Sequence, residues 1–331
     1  MTRYLFISAI YQRCTKLALF TFLLAFVVIL LGAYTRLTDA GLSCPDWPHC
    51  YGYLTAPHTL SQLETAANAY PLAPVNVKKA WTEMTHRYAA GAEGLLILLL
   101  CFTLLLNRQI KDFKSSFIAL SLITLLGVQV MLGMLTVTEK LKPVIVLAHL
   151  LTGLSLLSVL WWSYLDARLQ QITARQPLLM KSKGWLWLAL IMVVLQISLG
   201  GWVSTHYAGL ACVDFPYCNG QVLPPLQWNN LNGDLITIHM LHRIGALMTA
   251  LLVGGVALNL RRYTALRTDG LLILVFIALQ ITLGIFNIIW LRPVWIAMAH
   301  QAVGIMLLLT LIHTLVKASF LMDKRHGYFI R

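Results

Sequence analysis

The sequence predicts an all-α integral membrane protein with eight transmembrane helices, arranged as two tandem four-helix bundles related by internal duplication. Three observations support this fold class. Hydrophobic residues make up 59% of the 331 residues and charged residues only 11%, whereas a soluble domain is nearer half apolar and a quarter charged. Eight apolar segments are long enough to cross the hydrocarbon core of a bilayer as helices. The two halves of the chain also share motifs at fixed offsets.

The eight apolar segments alternate with polar loops. They run over Leu17–Thr35, Arg87–Leu106, Ser116–Val137, Val144–Leu165, Trp185–Val203, Ile236–Leu260, Leu271–Leu291 and Val294–Val316. The first segment is long and is followed by no small-residue cleavage pattern, so we expect a retained helix rather than a cleaved signal peptide. In the first loop, Thr59–Ala69 is a candidate for a short helix lying over the membrane.

Basic residues form short clusters on one side of the predicted membrane. These clusters hold 17 of the 25 Lys and Arg residues: Arg3, Arg13, Lys16, Arg108, Lys111, Lys114, Arg168, Arg175, Lys181, Lys183, Arg261, Arg262, Arg267, Lys317, Lys324, Arg325 and Arg331. The positive-inside rule therefore places both termini in the cytoplasm and the odd-numbered loops outside. We expect no nucleic-acid binding despite the net charge of +13, because no soluble module carries a basic face. The absence of an Arg- and Ser-rich presequence favours a bacterial cytoplasmic membrane.

Matched motifs divide the chain into two halves. The stretch 31–52 matches 199–220 at an offset of 168, and Gln129 with Leu132-Gly133 matches Gln280 with Leu283-Gly284. Repeats of this kind usually place binding sites symmetrically in the two halves. The predicted organisation is a cytoplasmic N-terminus (1–16), an N-terminal four-helix half (17–165), a cytoplasmic linker (166–184), a C-terminal four-helix half (185–316) and a cytoplasmic tail (317–331).

Four of the ten histidines form a pattern. His86 and His242 are predicted in the first turns of helices that enter from outside, while His149 and His300 follow the prolines that open the fourth and eighth helices. Each half therefore offers two imidazoles at similar depth, as axial ligation of a haem iron requires. Hydrogen bonding between helices is the alternative for any single histidine. Copper or zinc is disfavoured because both normally need a third or fourth protein ligand.

The two motifs that carry the first histidine of each half differ at one position. Glu83-Met84-Thr85-His86-Arg87 has a carboxylate three residues before its histidine, where His239-Met240-Leu241-His242-Arg243 has an imidazole. Residues three apart share a helix face, so Glu83 is expected to point toward whatever His86 binds. Arg87 and Arg243 could contact haem propionates or snorkel to lipid phosphate.

Two cysteine pairs, Cys44–Cys50 and Cys212–Cys218, share one spacing in loops assigned to the oxidising side. A short disulfide is the expected state for each pair. Zinc is the alternative, but neither pair has a further Cys or His at the usual spacing. The disulfides could act as structural staples over the histidine sites or as redox groups.

Taken together, these motifs make the chain resemble the haem A synthase family, in the bacterial form with cysteine pairs in the outer loops. The resemblance extends from Leu31 to about Leu315. It rests on Glu83-x-x-His86-Arg87, the run from Gly41 to Pro48, Gly209-Leu210-Ala211-Cys212, His242-Arg243, His149 and His300.

The resemblance implies an oxidoreductase that converts the C8 methyl group of haem O to a formyl group, giving haem A for terminal oxidases. It further implies that His242 and His300 ligate a permanent haem b, while His86 and His149 face the iron of the substrate haem O. Glu83 matches the family glutamate. Because oxidising a methyl group removes protons and electrons, a base or cation stabiliser is needed at the reacting edge. A capping role at a helix N-terminus is the alternative for Glu83.

Other functions also fit parts of the pattern. A di-haem b electron-transfer protein, using quinol or an outside acceptor, explains the histidines but not Glu83. A haem exporter or chaperone and a membrane thiol oxidase explain less. Haem O synthase is a partner implied by pathway and resemblance, and the lipid bilayer is implied by composition. The sequence leaves the electron acceptor unidentified and homo-oligomerisation open.

Overall fold

The computed structural model describes residues 2–106, 113–169 and 183–326 and forms nine α-helices within them. They are α1 (Thr2–Leu37), α2 (Leu60–Ala69), α3 (Val77–Leu106), α4 (Phe113–Thr138), α5 (Pro143–Leu169), α6 (Gly184–Thr205), α7 (Leu235–Leu260), α8 (Arg267–Ile289) and α9 (Val294–His326). All except α2 are long and apolar enough to cross a membrane. The predicted fold class of eight transmembrane helices is therefore confirmed.

Parts of four predicted segments lie outside the described residues. They are position 1 of the N-terminus, 107–112 of the N-terminal half, 170–182 of the linker and 327–331 of the tail. The predicted orientation rests partly on basic residues whose side chains also lie outside the described set, namely Arg3, Arg108, Lys111, Arg175, Lys181, Lys324, Arg325 and Arg331.

The first compact unit ends at Tyr164 and contains α1 to α5. In this unit α1 packs on α3 and α3 packs on α4. Helix α5 closes the bundle through aromatic contacts. Phe22 of α1 stacks on Trp161 at a centroid distance of 4.8 Å, and Phe117 of α4 meets Trp162 edge to face at 6.4 Å. The four long helices therefore surround one interior.

The second compact unit begins at Leu165 and contains α6 to α9. Its helices pack in a closed ring, α6 on α7, α7 on α8, α8 on α9 and α9 on α6. Apolar side chains such as Leu186, Val253, Ile273 and Leu308 are buried in it. A chain of two such four-helix units is compatible with the predicted internal duplication.

Helix α3 begins at Val77, ten residues before the predicted start at Arg87. Asn76 caps it by accepting a hydrogen bond from Lys79 N at 3.1 Å, and Ala80 and Met84 are buried against the loop that follows α1. The prediction was wrong because this first part of the helix faces protein rather than lipid, so its sequence is not continuously apolar. His86 consequently lies in the third turn rather than the first.

Most of the other helices also extend beyond their predicted limits, although α8 ends at Ile289, two residues before the predicted Leu291. The first helix was predicted to end at Thr35 and the fifth at Val203, yet α1 continues past Gly32 to Leu37 and α6 past Gly200 to Thr205. Both glycines are therefore interior helical positions. Helix α7 starts at Leu235, capped by the side chain of Asp234, so His242 falls in its second turn. The short helix predicted at Thr59–Ala69 is confirmed as α2, with a capping box at Thr59.

Candidate functional site: two histidine pairs beneath disulfide loops

Both predicted disulfides are present. Cys44 bonds to Cys50 and Cys212 to Cys218, with Cα–Cα distances of 4.6 and 4.7 Å. All four cysteines are fully buried. Each loop closes with a pair of backbone hydrogen bonds, between Cys50 and Tyr53 and between Cys218 and Gln221. The two loops therefore have the same local construction.

An aspartate ties each disulfide loop to its own turn. Asp46 accepts hydrogen bonds from Tyr51 N at 2.6 Å and Gly52 N at 2.7 Å. Asp214 accepts the equivalent bonds from Asn219 N at 2.7 Å and Gly220 N at 2.8 Å. The Gly220 hydrogen bond is the largest of the effects that hold the pKa of Asp214 below its usual value of 3.8. Burial, followed by the charges of Glu83 and Asp46, raises the pKa of the Tyr51 phenol.

The arginine that follows His86 or His242 donates hydrogen bonds to the disulfide loop of its own unit. Arg87 Nη1 donates to the carbonyls of Asp46, Pro48 and His49 at 3.0, 3.2 and 2.6 Å. The guanidinium of Arg243 makes the matching contacts in the second unit. It donates to the carbonyls of Tyr217, Cys212 and Asp214 at 2.8, 3.0 and 3.2 Å. Both guanidiniums thus bind loop carbonyls, and a contact of Arg87 or Arg243 with a haem propionate stays a prediction. Among the described residues, Arg243 Nε is buried without a partner.

Glu83 joins α3 to the first disulfide loop. It is only 4% exposed. Its Oε1 lies 2.5 Å from Arg87 Nη2, and its Oε2 accepts the Cys44 backbone N–H at 2.9 Å. The buried carboxylate thus has a countercharge and a charge-assisted hydrogen bond. It does not cap its own helix, because it lies in the second turn and receives its N–H from a different segment.

The equivalent residue in the second unit, His239, has no carboxylate but makes a similar contact with a loop. His239 is 5% exposed, and its Nδ1 lies 2.9 Å from the Ala208 carbonyl. Both positions therefore connect a helix to the loop that precedes it in the chain. The first unit alone does so with a carboxylate, which can also accept a proton.

In the first unit His86 and His149 each pack against a glycine of a neighbouring helix. A Cβ at Gly32 of α1 would lie 2.9 Å from His86 Cε1, and one at Gly133 of α4 would lie 3.3 Å from His149 Cε1. His86 and His149 therefore pack on α1 and α4 of the same unit. Their Nδ1 atoms are buried, and within the described part of the chain neither has a hydrogen-bond partner of normal geometry.

The second unit repeats this packing. A Cβ at Gly200 of α6 would lie 3.1 Å from His242 Cε1, and one at Gly284 of α8 would lie 3.3 Å from His300 Cε1. Gln280 places its Nε2 atom 3.2 Å from His300 Nε2. In the sequence these four glycines stand out only as members of the repeat, and nothing there marks them as the surfaces on which the imidazoles pack.

These observations fit a haem in each unit. Each four-helix unit supplies two imidazoles from helices that enter on the same side, each six to nine residues from the start of its helix, or roughly 9–14 Å along the axis. Each imidazole lies in a cradle that a Cβ would fill. Buried ring nitrogens without partners are costly unless a ligand uses the ring. Paired imidazoles are the donor set that haem iron takes in helical bundles.

The fold and these sites define a multi-pass membrane protein with two histidine pairs suited to haem. Comparison with known families identifies the group more closely. The family model of the cytochrome oxidase assembly protein family, COX15-CtaA, matches residues 15–312. The chain therefore belongs to this family.

Several curated relatives share most of the chain. A haem A synthase of Shewanella oneidensis is 38% identical over 318 residues, which cover 91% of this chain and 95% of the relative. A haem A synthase of Wolbachia pipientis wMel is 27% identical over 327 residues, covering 91% and 92% of the two chains. One of Erythrobacter litoralis is 28% identical over 313 residues, covering 87% and 91%.

Proposed function

We propose that this protein is a haem A synthase, a membrane oxidoreductase that oxidises the C8 methyl group of haem O to the formyl group of haem A. The observation that carries the proposal is the full-length similarity to haem A synthases together with two histidine pairs in cradles that suit haem. The C-terminal half would hold a resident haem b through His242 and His300. The N-terminal half would receive haem O between His86 and His149.

The reactive half is assigned by its carboxylate. Glu83 lies three residues before His86, on the same face of α3, and the equivalent residue His239 carries no negative charge. Converting a methyl group to a formyl group removes protons and electrons from one carbon, so a carboxylate at the reacting edge can accept a proton or stabilise positive charge. We assign this catalytic role to Glu83. Arg87 supplies a countercharge to this buried carboxylate.

The resident haem b supplies one-electron redox chemistry when bound. The protein's own part is to hold that haem through two imidazoles and to cover each site with a disulfide loop. Arg87 and Arg243 position those loops through backbone carbonyls. The buried Nε of Arg243 is a donor that a haem propionate could use. We assign the disulfides a structural role as staples of these loops.

The cellular setting follows from the same proposal. We place the protein in the bacterial cytoplasmic membrane, with both termini in the cytoplasm and the disulfide loops outside. Haem O is delivered by a haem O synthase, with which contact in the membrane is expected. The electrons leave through an acceptor that the sequence does not identify, and the protein could act as a homo-oligomer.

Haem extraction from the purified protein tests the proposal. We expect haem B together with haem O or haem A, identified by mass after separation, and conversion of added haem O to haem A in membranes that contain the protein. Two haem B molecules and no conversion would instead identify a di-haem electron-transfer protein. Variants His86→Ala and His242→Ala assign the haems, because the first should lose haem O or A and the second should lose haem B.

A further inference from the structure

Glu93 is a carboxyl buried near the middle of α3, a helix long and apolar enough to cross the membrane. It is 9% exposed and makes no hydrogen bond or ion pair with any described residue. The other buried carboxyls among the described residues are Glu83 and Asp269. Arg87 approaches the first at 2.5 Å, and Lys317 approaches the second at 2.8 Å. An unpaired polar group in a membrane helix is costly and usually serves a function.

Glu93 lies on the same face of α3 as His86, two turns further from the disulfide loop. Seven residues separate them in the chain, which leaves a rotation of only about 20° and a rise of roughly 10 Å. Ile97 and Leu100, four and seven residues beyond Glu93, are fully buried, so this face points into the bundle. Side chains on a helix lean toward its N-terminus. The Glu93 carboxyl therefore reaches back toward the histidine, which has Glu83 on its other side.

The second unit keeps this inward face but not the carboxyl. At the 156-residue offset that relates His86 to His242, Glu93 corresponds to Thr249. Val253, one turn further on, is fully buried, as its counterpart in α3 is. Thr249 is 6% exposed, and its Oγ1 atom has no partner among the described residues either. The position is thus polar and buried in both units, but the threonine hydroxyl is two bonds closer to the backbone and reaches less far.

The haems assigned to the two units differ at a substituent that a polar side chain can recognise. Haem O carries a hydroxyethylfarnesyl group where haem B carries a vinyl group, and its hydroxyl is on the carbon attached to the porphyrin. Haem A keeps this hydroxyl. The substituent stands on a pyrrole without a propionate, whereas the C8 methyl group stands on a pyrrole that has one. A site for haem O therefore has to accommodate a hydroxyl inside the bundle, and a hydroxyl taken out of water needs a partner.

We propose that Glu93 binds the hydroxyl of the hydroxyethylfarnesyl group and thereby selects haem O over haem B in the first unit. The inference rests on the proposed function, which places haem O between His86 and His149. A carboxyl oxygen accepts a hydrogen bond from a hydroxyl whether the acid is ionised or protonated, so the contact needs no countercharge. A haem with a vinyl group would leave the buried acid unpaired and is disfavoured. The vinyl group of haem B in the second unit needs no acceptor, in keeping with Thr249 there.

Separate titrations with haem O and haem B test the role of the hydroxyl. Protein purified from cells that make no haem O, with haem b in its second unit, is titrated with ferric haem O or ferric haem B and followed by absorbance. Glu93→Leu should weaken haem O binding about 10-fold or more and should not weaken haem B binding. If the farnesyl chain merely packed at this position, leucine would strengthen haem O binding instead. Glu93→Gln keeps a carbonyl acceptor and should retain most of the affinity for haem O.

Thr249→Val is the matched control in the second unit and should leave the affinity of the first unit for both haems unchanged. The absorbance of the resident haem b reports whether each variant folds. Wild-type affinity for haem O in Glu93→Leu, or an equal loss of affinity for haem O and haem B, would overturn the inference. A wild-type protein that neither prefers nor converts haem O would refute the proposed function, and the inference with it. A preference for haem O that persists in Glu93→Leu refutes only the role of Glu93.

Discussion

Glu83 and Arg87 form an ion pair one turn apart on α3, with 2.5 Å between Oε1 and Nη2 and side chains only 5% and 13% exposed. The same guanidinium also holds three carbonyls of the first disulfide loop. In the second unit His239 and Arg243 hold their loop separately and form no ion pair within the described residues. The two units therefore have a similar construction, but the first has a buried carboxylate beside its arginine where the second has a histidine.

Glu83→Gln should abolish most haem A formation while leaving haem b bound. The amide keeps the size of the side chain and an oxygen that can accept the Cys44 N–H, but it can neither take up a proton nor balance positive charge. The products are measured by extraction and mass, and we expect a hydroxylated intermediate to accumulate. His239→Gln is the matched control and should leave haem A formation close to wild type. A full haem A yield from Glu83→Gln would exclude the catalytic role.

Arg87→Met should destabilise the first unit strongly. It leaves the buried Glu83 carboxylate without its countercharge, and breaking a buried pair in this way costs roughly 3–5 kcal/mol. The free energy of unfolding is measured by titration with denaturing detergent. Arg243→Met leaves no buried carboxylate without a countercharge, so it should lower the free energy of unfolding clearly less. Adding Glu83→Gln to Arg87→Met should restore part of the lost free energy of unfolding. Equal losses for Arg87→Met and Arg243→Met would contradict this account.

Alanine at the four cradle glycines should impair haem binding one unit at a time. Gly32→Ala and Gly200→Ala bring a Cβ to 2.9 and 3.1 Å from a histidine Cε1, so they should displace the ring and deplete the haem of their own unit. Gly133→Ala and Gly284→Ala, at 3.3 Å, should be milder. Haem content by type is the measurement. Loss of haem b from Gly32→Ala with retention in Gly200→Ala would reverse the assignment of the units.

The second disulfide loop should loosen only in strong acid. The pKa of Asp214 is lowered in the folded state, so its contribution to stability is present above its ordinary value of 3.8 and is lost as the pH falls through the lowered value. Pepsin cleavage within 212–220, followed against pH, measures the effect. Cleavage should rise only below 3.8 in the wild type. Asp214→Asn should be cleaved more readily than the wild type above pH 3.8 as well. Equal resistance of the wild type and Asp214→Asn above that pH would contradict the prediction.

Much of the fold could be predicted because the bilayer imposes a simple rule. A helix exposed to lipid must be apolar along its length, so eight apolar segments identified eight helices. The rule fails where a helix leaves the lipid. Residues 77–86 were therefore missed as part of α3, since Asn76 caps them and the first disulfide loop covers them.

The site could be predicted at the level of residue types. His86, His149, His242 and His300 were selected as candidate ligands because the repeat placed them at like positions, and both disulfides were predicted from spacing and the expected compartment. The contacts of Gln196 were not foreseen. The 168-residue offset that matches the cysteines also pairs Gln196 with Val28. The difference between these two side chains has meaning only because the structure places Gln196 beside His242.

The sequence by itself determined the membrane class, the number of helices, the repeat and the chemical identity of the histidine pairs, because hydropathy and spacing are properties of the chain alone. Only the tertiary structure decided which groups meet. It paired Glu83 with Arg87 and Cys44, and it placed glycine against each imidazole. It also brought Gln196 to His242 across two helices. These contacts join residues up to 54 positions apart, the separation of Gly32 and His86, and helix packing, which depends on all side chains at once, brings them together.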